Sequence, residues 1–279
     1  MASRSPQSCI SNGYRLYVSS FRSIFKASWP AALLFAVCFS GLVTVWLMQK
    51  GLVGLIITFA VLGLLCEIAF YSAGIRLFDS RASLKRVLIG MLSTLVSFLV
   101  IICVTGGIGY ALALAINAIG GDKLVKIWWT IIPLTVIGGL LSVPLLFQMF
   151  RYILSDDKNY WKGLWKGFKT GMGHWTLLFS AFFISLIVIG IMTAIILLPA
   201  NVLAIANYQS AYGQLYGDPA GMPGYVFPMT IIVMLVAGFA EAFIRMTGIY
   251  IMWFSYGSAV ATEKERKEFA KRNDGEEKP

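Results

Sequence analysis

Long apolar runs, interrupted by short polar segments rich in lysine and arginine, set the pattern of this chain. Six runs stand out, at about 30 to 48, 52 to 75, 87 to 119, 127 to 154, 175 to 207 and 226 to 258. Each is close to or longer than the roughly 20 residues that a helix needs to cross about 30 Å of hydrocarbon. None alternates in the two-residue period of a membrane β-strand, so the predicted fold is all-α: a polytopic integral membrane protein with six transmembrane helices. Residues 1–30 are too long and too polar for a cleavable signal peptide, and the first run is expected to serve as both span and signal anchor.

The polar edges of these runs have a period of their own. Ahead of the first, YRLYVSSFRSIFKASWP sets Tyr14, Tyr17, Phe21 and Phe25 at helical spacing, with Arg15, Arg22 and Lys26 turned to water or phosphate. Ahead of the fifth, YWKGLWKGFKTGMGHW places Trp161, Leu164, Trp165 and Phe168 on one side and Lys162, Lys166 and Lys169 elsewhere. Aromatic anchors beside basic residues suit a basic amphipathic helix in the membrane interface, and both segments are predicted to lie there before the chain turns into the bilayer. RASLKRVLIGML, ahead of the third run, is a shorter version of the same.

Lysine and arginine also alternate in abundance between connections. The N-terminal segment holds four, the second connection four, the fourth five and the tail six, whereas Lys50, Lys123 and Lys126 are the three on the opposite side. By the positive-inside rule the N-terminus and the C-terminus are both expected in the cytoplasm. Only 13% of the 279 residues are charged, against about 25% in soluble domains, which agrees with a membrane protein. The net charge of +10 is spread over every such edge instead of forming one patch, so anionic lipid headgroups are the expected partner and nucleic acid is not. A membrane-protein partner is compatible with the same surface. Cys38, Cys66 and Cys103 fall within apolar runs and Cys9 outside them, a distribution that suggests small apolar filler and no disulfide framework, metal site or cofactor.

A repetition links the second and sixth runs. EIAFYSAGIRLF at 67–78 lies against EAFIRMTGIYIM at 241–252, with Glu67 over Glu241, Gly74 over Gly248 and Ile75 over Ile249. The chain is accordingly read as three hairpins, 10–80, 81–158 and 159–262, the middle one diverged and carrying Gln148 in place of a glutamate. All three start from the same side, which predicts a parallel repeat about an axis normal to the membrane, not an inverted one. They form one six-helix domain, 1–262, followed by a charged tail, 263–279, expected to begin as helix and end disordered.

The lead-in FRSIFKASWPAALL, its echo WKGFKTGMGHWTLLF and the six spans with cytoplasmic ends resemble a loose group of bacterial six-helix membrane proteins. That group includes the membrane domain of glycerophosphodiester phosphodiesterases and several uncharacterised families. The resemblance implies a membrane module in a bacterial inner (cytoplasmic) membrane. The soluble catalytic barrel of the phosphodiesterases is expected to be absent, so neither their activity nor any functional residue is carried over.

The expensive polar positions remain. Glu241 and Arg245 lie four apart inside an apolar run, on one helical face and within reach of each other. A charge at span centre costs about 2.5 to 3.5 kcal/mol on insertion scales, which pairing offsets in part. Glu67 has no opposite charge three or four residues away, and Arg245 is the basic residue deepest in a span, so both glutamates are predicted to approach it. Two roles stay open for the trio: an internal strut, or a polar cavity for a substrate headgroup or proton. His174, beside Trp175 at the edge of the fifth run, is a candidate headgroup contact. In the third run, Gly107, Ala111 and Ala115, and next to them Gly109, Ala113 and Asn117, make small-residue ridges for close packing. Pro133, Pro144 and Pro199 are candidate kinks. NYQSAYGQLYGDPAGMPGYVFP at 207–228, with Tyr208, Tyr212, Tyr216, Tyr225 and its one charge Asp218, reads as a loop hugging the membrane. These features point to a non-enzymatic inner-membrane protein that binds or organises lipids or membrane-protein partners. The alternative is a transporter or lipid-handling protein with a midplane site at Glu67, Glu241 and Arg245.

Overall fold

The structure is a computed structural model that describes residues 5–47, 52–78, 82–117, 123–154, 159–217 and 223–276. It is 94% helical, with no strand among the described residues. The helices are α1 (Pro6–Leu47), α2 (Val53–Arg76), α3 (Leu84–Asn117), α4 (Lys123–Leu141), α5 (Val143–Leu154), α6 (Tyr160–Gly173), α7 (Trp175–Leu215) and α8 (Val226–Glu276). Among the described residues, six stretches are long and apolar enough to cross a membrane: Pro6–Leu47, Val53–Arg76, Leu84–Leu112, Ile131–Leu154, Trp175–Leu215 and Val226–Phe269. Only 11% of the apolar window in α7 is buried, leaving most of that surface for lipid.

Several sequence boundaries move. The first lead-in does not lie apart from its span, because α1 runs unbroken through Pro30. The chain has no glycine between Gly13 and Gly41, and a proline that keeps helical φ forfeits only the bond to the carbonyl four residues back. One buried stripe, Tyr17, Ile24, Ser28, Ala32 and Phe35, continues across it. The shorter lead-in likewise belongs to continuous α3. The fourth run is broken instead: Ser142 caps α4 by donating from its backbone N and its Oγ to the Gly138 carbonyl, at 3.1 and 2.8 Å. Pro144 then opens α5 at a position where its missing N–H is harmless. Pro133 and Pro199 lie inside continuous helices. The predicted loop after residue 207 is helical to Leu215, where Tyr208 stacks on Tyr212 and Tyr212 donates to the Tyr216 hydroxyl at 3.1 Å. Gly217, at φ 87°, follows the end of the helix in a conformation that suits glycine. Asp218 lies outside the described residues. The tail is helical to Glu276, as expected of its beginning, and residues 277–279 lie outside the described residues.

Two compact units make up the chain. The first takes residues 14–80 and 184–250, hence most of α1, all of α2, the longer part of α7 and the first half of α8. Its core joins Tyr17, Ile24, Ala32 and Phe35 of α1 with Phe70 of α2 and Phe243, Met246 and Tyr250 of α8. Buried aromatic rings meet edge to face here: Phe70 and Phe243 have centroids 5.2 Å apart. The Tyr17 hydroxyl donates to the Phe243 carbonyl at 2.7 Å. A second cluster, Ala200 of α7 with Met234 and Ala237 of α8, packs beside Phe39 and Val43.

The second unit takes residues 1–13, 81–183 and 251–279. α5 is its centre: nine of its residues are buried, from Val143 to Ile153, so this half of an apolar run faces protein. α6 lies on it through Tyr160, Gly167 and Gly171. A Cβ at Gly171 would stand 3.0 Å from Pro144, and one at Gly167 would strike the Gln148 amide, so glycine sets the closeness of these helices. Between α3 and α4 the tight contact is Thr105 on Gly138. The predicted ridge at Gly107 and Ala111 is exposed, and the side chains of Ala113, Ala115 and Asn117 lie outside the described residues.

Candidate functional site

The three charges predicted to converge do so within the first unit. On α8 the i,i+4 spacing brings Arg245 Nε to 2.8 Å from Glu241 Oε1, and from α2 Glu67 Oε1 comes to 3.2 Å from Arg245 Nη1. Two further side chains complete the cluster. Tyr71, one turn after Glu67, donates its hydroxyl to Glu67 Oε1 at 2.8 Å, and Thr193 of α7 donates to Glu241 Oε1 at 2.9 Å. The Phe35 ring lies 5.9 Å from the guanidinium carbon, at the limit of a cation–π contact.

The repeated sequence explains this placement. Glu67 and Gly74 are seven residues apart, as are Glu241 and Gly248, so each pair occupies one face two turns apart. On α2 that face meets α8: the carboxylate takes Arg245, and a Cβ at Gly74 would strike Met246. On α8 it meets α7: the carboxylate takes Thr193, and a Cβ at Gly248 would stand 3.0 Å from Ile189. The same letters thus make the same device twice, a glycine for close approach and a glutamate to bridge the seam.

The environments within the cluster differ. The Glu241 side chain is 2% exposed, that of Glu67 21% and that of Arg245 38%, so the arginine reaches from a buried carboxylate toward the edge of its unit. Glu241 Oε2 is buried with no hydrogen-bond partner. Two carboxylates face one guanidinium, leaving a formal surplus of one negative charge when both are ionised.

The basic residues divide by helix. On α1, Arg15, Arg22 and Lys26 are exposed, but the accompanying aromatics are not all outward: Tyr17 is buried, and Phe21 and Phe25 lean on Phe243 at centroid distances of 5.7 and 5.4 Å. On α6, Lys162, Lys166 and Lys169 are exposed, as are Trp161 and Trp165, the latter 76% exposed and stacked on Phe168. An aromatic strip and a lysine strip therefore run side by side on the face of α6 opposite its glycine seam. Asn159 caps this helix, accepting from Trp161 N at 3.0 Å. Burial pushes the Tyr160 phenol above its usual value, while hydrogen bonds with Thr94 and Ser97 pull it the other way.

His174 departs from the outward role expected of it. It is 8% exposed at the corner between α6 and α7, with Nε2 3.3 Å from Glu263 Oε1 of α8. Gln148, at the position matched to the glutamates, is also buried, donates from Nε2 to the Tyr160 carbonyl at 3.1 Å, and leaves Oε1 without a partner. Tyr71 was open to prediction from its i+4 spacing. Thr193 was not, since intramembrane threonines commonly bond the carbonyl a turn back, as Thr94 and Thr135 do here.

These elements define an all-helical, multi-pass integral membrane protein with a three-charge cluster inside one unit and a basic, tryptophan-bearing helix on the other. Comparison with known protein families, characterised proteins and solved structures finds no match to this chain.

Proposed function

We propose that this is a non-enzymatic inner-membrane protein, with both termini in the cytoplasm, that binds and organises anionic lipids at the cytoplasmic leaflet. One observation carries the reading: α6 holds itself to α5 by its glycines and presents Trp161, Trp165 and three lysines outward. Tryptophan rings suit the headgroup level, and each lysine near an anionic surface contributes about 1 kcal/mol. Arg15, Arg22 and Lys26 of α1 add to the same side under the positive-inside assignment.

The test is electron spin resonance of the full chain in mixed bilayers, comparing spin-labelled phosphatidylglycerol with phosphatidylcholine in the motionally restricted shell. The wild type should prefer phosphatidylglycerol, and a Lys162→Glu, Lys166→Glu, Lys169→Glu variant should lose most of that preference. Equal selectivity in the two proteins would refute the reading.

A second reading is a transporter or lipid-handling protein using Glu67, Glu241 and Arg245. It draws support from the unpartnered Glu241 Oε2 and the surplus carboxylate. Its mark would be an anionic ligand retained by wild type and lost from a folded Arg245→Ala variant in native mass spectrometry.

A further inference from the structure

One face of α8 in the second unit is hollow. Trp253, Tyr256, Gly257, Val260 and Lys264, spaced i, i+3, i+4, i+7 and i+11, line a groove of about 290 Å³ that Leu154 at the end of α5 closes on one side. Its wall is braced from behind, since the Tyr256 ring packs on Phe147 and Phe150 of α5 at 4.9 and 6.0 Å. Gly257, at the middle, contributes no side chain to the lining. At 1.5 Å per residue the groove follows α8 for roughly 16 Å.

Its two ends differ in chemistry. The Trp253 end lies in the apolar stretch IYIMWFSYGSAV, and the Lys264 end in the charged stretch TEKERKEF, where Lys264 is exposed. An apolar trough with a cation at its watery end matches an amphiphile of the opposite charge, lying along the helix with its chain toward Trp253. We infer that this groove is a binding site for one anionic phospholipid, its phosphate held by Lys264 and an acyl chain laid past Gly257. This rests on the proposed lipid-binding role and deepens it, from a leaflet-wide preference to one defined site.

Native mass spectrometry of the full chain, titrated with phosphatidylglycerol and separately with phosphatidylcholine, tests it. The wild type should retain one phosphatidylglycerol at concentrations where phosphatidylcholine is not retained. Lys264→Glu, a change at an exposed position, and Gly257→Leu, which fills the trough, should each weaken that binding at least tenfold. Phosphatidylglycerol binding within twofold of wild type in Lys264→Glu, or equal retention of the two lipids by wild type, would overturn the assignment. So would a wild-type dimer that Gly257→Leu dissociates, which would make the groove a seat for a second copy. The α6 triple variant separates the two levels: it should keep this one lipid while losing shell selectivity.

Discussion

Arg245 serves two carboxylates in unequal settings, and the inequality predicts how each will respond to substitution. Removing the guanidinium strands Glu241, 2% exposed, with Thr193 as its remaining partner, a loss of the kind that costs about 3 to 5 kcal/mol. Removing Glu67 leaves Arg245 paired at 2.8 Å and should cost less. Glu67→Ala and Arg245→Ala should therefore be non-additive, with a coupling of about 0.5 to 3 kcal/mol in a reversible denaturation cycle. Strict additivity would mean that the 3.2 Å contact contributes nothing. Gly167 makes a second demand at this scale. Its Cβ would fall on the Gln148 side chain, so Gly167→Ala should lower stability by about 1 to 3 kcal/mol, and Gln148→Ala in the same chain should restore part of it. Convergence on Arg245 was legible because a deep lone cation must draw every intramembrane acid to it. The inward turn of His174 was not, because its partner Glu263 lies 89 residues away, in a stretch that reads as solvated tail.

The two lead-in segments show why composition alone misjudges an element. Both carry aromatic and basic residues at helical spacing, yet α1 continues into its span and α6 stops at Gly173 and His174. The difference lies in the junctions: GMGH brings two glycines that yield to a break, whereas KASWP offers only a proline that a helix bound on the same face before and after it can absorb. The break between α4 and α5 falls beside Pro144, one of the three candidate kinks, although hydropathy runs smoothly through Ser142 and Pro144 while burial changes from mixed to nearly complete. α6 also carries a pH expectation. The folded state favours the neutral Tyr160 phenol, whose proton is held above its ordinary value. Its contribution is complete below the usual tyrosine value of about 10 and is lost as pH rises through the folded one. The alkaline fall in unfolding midpoint should be shallower in Tyr160→Phe than in wild type, read by thermal scans above pH 9.

For the whole molecule, six apolar stretches and an absence of strands among the described residues make the membrane assignment direct, and the lysine and arginine bias supplies the expected sidedness. A reporter active only in the cytoplasm, fused at the C-terminus, should be active, and an externally active one silent; the reverse would invert the proposed topology. The order of synthesis gives the charge cluster a further consequence. Glu67 leaves the ribosome with α2, long before Arg245 arrives with α8. Until then the Tyr71 hydroxyl, one turn away on the same helix, is within reach of its carboxylate and the Arg245 guanidinium is not yet made. Arrival of α8 brings in one step a cation for α2 and a carboxylate for Thr193 of α7, so the cluster forms only once α8 is captured. Chains stopped at residue 225 should insert yet be cleared by membrane proteases faster than the full chain, and supplying 226–279 as a separate fragment should slow that clearance, with fragments carrying Arg245→Ala rescuing less.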